Sequence, residues 1–207
     1  VGLFVAVLYM TNAWDGPIYF GITGIALFVA FFIKQKDWLV KTVSGILITL
    51  VSFVIFSLPF SVNFKPFVSG FGMNCSPDFL IKLGKIGPFL FEVDRCQRSP
   101  LYQWMILWGF FLFFALCFII FKFFKRKVKD ALIPIDWFVI GVSLLALSLL
   151  IIPEFFYASD IYPTHFRANT MFKLGYQAFM MMSIISAYII IRISKTWKHI
   201  WFLIPSL

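Results

Sequence analysis

The sequence predicts an all-α fold. We expect a polytopic bundle of transmembrane helices with about five complete spans and a partial span at each end. Three observations predict it. The 207 residues are 61% hydrophobic with a mean hydropathy of +0.94. Only 13% are charged, against roughly 25% in soluble domains. The apolar residues gather in uncharged runs of about the length a bilayer requires, ~20 residues with a range of ~17–25. Backbone at membrane depth must satisfy its own hydrogen bonds, so each run is expected to be a helix.

The elements follow in chain order. The chain opens inside an apolar run, "VGLFVAVLYM", and closes inside another, "IWFLIPSL". Residues 1–13 and 200–207 therefore read as partial spans, and the whole as a piece of a longer membrane protein. Complete spans are expected near 16–33, 42–61, 101–121, 137–153 and 174–191. The region 1–207 forms a single transmembrane domain. A long segment, 62–100, separates the second span from the third. Within it, "SPDFLIKLGKIGPFLFEV" at 76–93 has the spacing of a short helix lying on the bilayer.

Charge sets the expected orientation. Loops 34–41, 122–136 and 192–198 hold 11 Lys/Arg against 3 Asp/Glu, while the Asp15 turn, 62–100 and 154–173 hold 7 against 6. The two sets alternate along the chain. The positive-inside rule makes the first set cytoplasmic and the second outward-facing in a multi-pass plasma-membrane protein. The net charge of +9 follows from these loops, so the expected partner is the lipid bilayer and not a nucleic acid. Cys117 falls mid-span and reads as a small apolar filler. Cys75 and Cys96 both fall in the outer loop, where a bridge or two free thiols fit equally well.

Two polar stretches stand out. In "TNAWDGPIYF" at 11–20, Asp15 precedes Gly16-Pro17. Its plain reading is a cap on the next helix, since Pro suits a first turn. Its functional reading is an outward cavity lined by Asn12, Trp14 and Asp15. Trp14 also suits an interface anchor. In "EFFYASDIYPTHFRANTMFK" at 154–173, Glu154 and Asp160 precede a helix start that carries Arg167 and Lys173. Asn169 or Thr170 is the expected N-cap. Asn169, Lys173 and Gln177 recur every four residues and form one polar stripe. A cation one turn inside the membrane costs ~2.5–3.5 kcal/mol at full depth, so Lys173 requires a partner or a wet cavity. A helix N-terminus flanked by Arg167 and Lys173 suits a phosphate-sized anion. The competing reading is a closed salt-bridge network that holds helices together. His165 reads as a hydrogen-bonded loop residue, and Tyr157 and Tyr162 as interfacial aromatics.

Together "TNAWDGPIYF", "FSLPFSVNFKPF", "LYQWMILWGFFLF" and "EFFYASDIYPTHFRANTMFKLGYQAF" resemble the YYY-type membrane protein family, a domain of unknown function from archaea and some bacteria. Its motifs fall on Asn12, Trp14, Asp15 and Pro17, on Pro59-Phe60, and on Glu154, Asp160, Arg167, Asn169, Thr170, Phe172 and Lys173. Ala168 stands where Met is expected. The resemblance implies kinship with GT-C-type glycosyltransferases, polytopic enzymes that use lipid-phosphate sugar donors. It implies sugar transfer from a polyprenyl-phosphate-linked donor at the outer face. Asp15, Glu154 and Asp160 would act on the acceptor or hold a divalent metal. Arg167 and Lys173 would bind phosphate, with Asn12, Trp14, Asn169, Thr170 and Gln177 lining the site. In that group the catalytic acid commonly lies in the first outer loop, which this stretch is expected to lack. A different class fits the same charges: a transporter or flippase-like protein in which they line a route. A third reading is a structural scaffold with every acid paired.

Overall fold

The computed structural model describes residues 1–33, 35–66, 68–124, 133–159 and 164–196. Five of its helices are long and apolar enough to cross a membrane. They are α2 (Asp15–Phe32), α3 (Trp38–Ser61), α5 (Leu101–Phe124), α6 (Pro134–Phe155) and α7 (Ala168–Thr196). Each contains one of the expected spans or nearly so, and most run several residues further. The partial span at the start is α1 (Gly2–Thr11), ten residues long. The expected span at 200–207 lies outside the described residues.

The loop between α3 and α5 departs from expectation. It contains one short helix, α4 (Asp78–Ile81), and three strands: β1 (Gly70–Met73), β2 (Lys85–Ile86) and β3 (Phe89–Leu90). The expected surface helix over 76–93 stops after one turn. Gly84 and Gly87 both take positive φ, +66° and +59°, and Pro88 follows, so the chain reverses into a hairpin. A fourth strand, β4 (Phe156–Ser159), comes from the connection between α6 and α7. The sheet order is β2-β3-β1-β4. β1 runs parallel to β3 and antiparallel to β4, with Gly70 opposite Ser159 and Met73 opposite Phe156. A disulfide joins Cys75 to Cys96 just past β1. This cap sits over one end of the bundle.

Core packing centres on α6 and α7, the most extensively paired helices. Val142, Ala146 and Leu149 of α6 meet Ala178, Met182 and Ile185 of α7. α1 and α2 pack on α3, and α2 also lies along α6. α5 touches mainly α7 and is only 6% buried over its most apolar stretch. Its apolar outer face suits a hydrocarbon surrounding, not water.

Helix starts also differ in detail. α7 begins at Ala168, so Asn169 and Thr170 lie inside its first turn and do not cap it. Thr170 is 1% exposed, and its Oγ1 accepts a hydrogen bond from the Ala158 N–H at 3.0 Å. It fastens β4 to α7. Asp15 makes no side-chain cap either. Its carboxylate reaches outward to a different helix.

Candidate functional site

The sequence-singled residues at the cap end fall into two clusters on opposite edges of α7. The first grows from the break between α1 and α2. α1 ends at Thr11, and Asn12 turns the chain in an extended conformation (φ −150°, ψ 115°). The Asp15 N–H then bonds back to the Asn12 carbonyl at 2.9 Å. This tight reversal places Asn12 Nδ2 at 2.9 Å from Asp15 Oδ1. Gln177 Nε2 donates to the same oxygen at 2.9 Å, and Tyr19 donates to Gln177 Oε1 at 3.5 Å. Trp14 packs half-buried against the core. Both hydrogen bonds to Asp15 end on Oδ1. Among the described residues, Oδ2 has no hydrogen-bond partner and the carboxylate has no ion pair.

Lys173 lies one turn from Gln177 on the same edge of α7. It is half-buried and makes no hydrogen bond or ion pair with any described residue. Lys173 thus stands one helical turn from the residue that holds Asp15, and the acid and the cation do not pair.

The second cluster is closed. Arg167 is 4% exposed. Its Nη2 sits 2.8 Å from Glu154 Oε1 and 3.1 Å from Ser99 Oγ, and Nη1 donates to the Gln97 carbonyl. Glu154 also accepts from the Ser99 N–H at 3.0 Å on Oε2 and from Trp104 Nε1 at 3.5 Å. Asn74, 2% exposed, completes the join: its Nδ2 donates to the Gln97 carbonyl at 2.6 Å and the Glu154 carbonyl at 2.8 Å. Its Oδ1 accepts from the Gln97 N–H at 3.0 Å. The cap, the end of α6 and the start of α7 are thereby pinned together. In the cap itself, Tyr157 donates to Glu92 Oε2 at 2.7 Å. Burial, then the Glu92 carboxylate, push its phenol above the usual tyrosine range.

The expected grouping of Glu154 and Arg167 with Asp15 and Lys173 is therefore not one hydrogen-bonded site. Gln177 lies nine residues into α7 from Ala168, the residue after Arg167, ~14 Å along the axis at 1.5 Å per residue. The half at Glu154 and Arg167 matches the closed network, with both charges occupied. Asp160 lies outside the described residues. Asn169 is half-buried in the first turn of α7, and His165 is exposed. Among the described residues no three His, Cys, Asp or Glu side chains gather as a metal centre would require. Both Glu154 oxygens are spent on protein donors, and Asp15 has no described carboxylate beside it. Among the described residues this donor set does not fit a divalent cation.

Sequence reasoning missed a third cluster at the other end of the bundle. Asp136, fully buried, receives Lys122 Nζ at 2.8 Å, Tyr188 Oη at 2.8 Å and Arg192 Nε at 3.4 Å. It ties α5, α6 and α7 together. Asp136 and Lys122 read as loop charges because each falls at the edge of an apolar run. Tyr19, Asn74, Gln97, Ser99 and Trp104 were missed as well. Only Asn74, a polar residue beside a loop cysteine, left any local signal.

Five apolar helices long enough to span a bilayer, with a polar constellation gathered at one end, define a multi-pass integral membrane protein. The chain belongs to the DUF2298 family of uncharacterized membrane proteins, whose profile matches residues 1–144 and 131–182. No curated protein and no solved structure matches it.

Proposed function

We propose that this chain carries part of the acceptor and phosphate site of a membrane transferase that uses a polyprenyl-phosphate-linked sugar at the non-cytoplasmic face. One observation carries the reading: Asp15 keeps a free carboxylate oxygen while Lys173, one turn along α7 from the Gln177 that holds Asp15, keeps its charge unpaired among the described residues. Both side chains are half-buried, so leaving either charge without a partner is costly. A ligand offering both a hydroxyl and a phosphate satisfies both.

In this mechanism an acceptor hydroxyl approaches Asp15 Oδ2. Asn12 and Gln177 hold Oδ1, which fixes the carboxylate and leaves Oδ2 as the proton acceptor. The hydroxyl oxygen attacks the anomeric carbon, its proton passes to Asp15, and the carbon–oxygen bond to the polyprenyl phosphate breaks. Lys173 stabilises the negative charge that develops on the departing phosphate. Glu154, Arg167 and Thr170 stay outside the chemistry and hold the frame. The disulfide in the cap supports an oxidising compartment for this end, in line with the charge asymmetry of the loops.

Transport is less well supported. Beyond Gln177 the buried face of α7 runs through Ala178, Met181, Met182 and Ile185, an apolar stretch of two turns before the buried Ser186. The test uses the full-length protein in membranes with a polyprenyl-phosphate hexose as probe. Lys173→Ala is expected to weaken binding roughly 10–100-fold, the value of a charge-assisted contact of ~1.5–3 kcal/mol. Asp15→Asn is expected to keep binding and to lower transfer by ~10²–10⁴-fold. Wild-type binding and transfer in both variants would overturn the proposal.

A further inference from the structure

We infer that the cavity enclosed by α5, α6 and α7 is a seat for one linear hydrocarbon chain of a bilayer lipid. It lies across α7 from Lys173. Met171 and Gly175 line it, and each is two residues, roughly 200° around the helix, from Lys173. The inference stands whether or not the chain is a transferase.

The walls decide the chemistry. Trp104, Leu107 and Trp108 come from α5, Leu149 and Leu150 from α6, and Gly175 from α7. Polar side chains line it only as Ser99, Gln103 and Glu154, which belong to the cap end. The one charge among them is already neutralised, because Glu154 holds Arg167 at 2.8 Å. The cavity therefore offers an ion nothing and offers hydrocarbon a matched surface.

Size and surroundings select the occupant. The volume is about 80 Å³. A dry apolar cavity of ~150 Å³ accepts a benzene ring, so this one suits a chain segment and not a fused ring system. Leu107, on its rim, is 64% exposed, and its α5 neighbours Ile106 and Phe110 are exposed as well. Residues of that kind on a spanning helix face lipid tails, so the chains are already at the mouth.

Gly175 keeps the floor open. A Cβ there would meet Trp108 at an ordinary 3.7 Å, so close packing does not demand glycine. Inside a helix it costs ~1 kcal/mol relative to Ala. The helix forgoes that stability and leaves space beside the two indoles.

The test uses the full-length protein in vesicles of phosphatidylcholine brominated on its acyl chains. The signal is the Trp108 fluorescence, obtained as the difference from Trp108→Phe. Strong quenching is expected in the wild type, and a severalfold loss of it in Gly175→Leu, which plugs the floor. Leu107→Phe narrows the mouth from an exposed position that folding does not depend on, and it is expected to reduce quenching in the same direction. Unchanged quenching in both variants would overturn the inference. Quenching by a brominated sterol as strong as by the brominated chains would also overturn it.

Discussion

At the scale of single residues, the two clusters beside α7 differ in whether their charges are spent. Arg167 and Glu154 are a nearly buried pair, 4% and 14% exposed at the side chain. Removing one partner leaves the other charge stranded, which costs ~3–5 kcal/mol, whereas replacing both with neutral residues of similar size is close to neutral. Arg167→Met is therefore expected to lower the thermal midpoint sharply. Arg167→Met combined with Glu154→Gln is expected to recover most of the loss. Equal destabilisation by the single and double variants would contradict a closed pair. Asp15 and Lys173 were legible as polar outliers in oil, and their four-residue spacings placed Lys173 and Gln177 on one stripe. Which outliers were already paired was not legible. Glu154 is satisfied by Ser99, Trp104 and Arg167 from three separate segments, and no local pattern announces such a meeting.

At the scale of elements, the helices were readable and the strands were not. A run of about twenty apolar residues has one stable form in lipid, so length alone specified α2, α3, α5, α6 and α7. β1 reads "GFGM", too short and too glycine-rich for a strand by pattern. It is a strand because its partners hold it: β3 on one side and β4, arriving from beyond α6, on the other. Gly72 shows why its glycines matter. A Cβ at Gly72 would fall 2.1 Å from Tyr157 Cζ, well inside contact distance. Gly72→Ala is expected to cost ~1–3 kcal/mol, as overpacking does. The damage should stay in the cap: limited proteolysis between residues 62 and 100 should quicken while far-ultraviolet dichroism of the helices holds. Protection equal to the wild type would show that the ring of Tyr157 has room to move aside.

At the scale of the whole molecule, the five complete spans were legible because bilayer thickness imposes a ruler on the chain. The depth of individual charges was not, and Asp136 is the clearest case. It read as one more loop acid, yet it is fully buried beneath Lys122, Tyr188 and Arg192. The proposed orientation has a direct check with a membrane-impermeant maleimide on intact cells. A cysteine at Lys82, exposed in the cap, is expected to label at once. A cysteine at Lys36, in the basic loop between α2 and α3, is expected to label only after permeabilisation. The reverse pattern would place the Asp15 and Lys173 site on the wrong side for the proposed chemistry. The sheet also imposes a schedule. β1 pairs with β4 across about 80 residues of chain, and two spanning helices are made in between. At ~5–20 residues per second, β1 waits several seconds for that partner during synthesis. β2, β3 and both cysteines of the 75–96 bridge emerge within that interval. The cap is thus half assembled, and available for cross-linking, before the strand that will fasten it to the bundle exists.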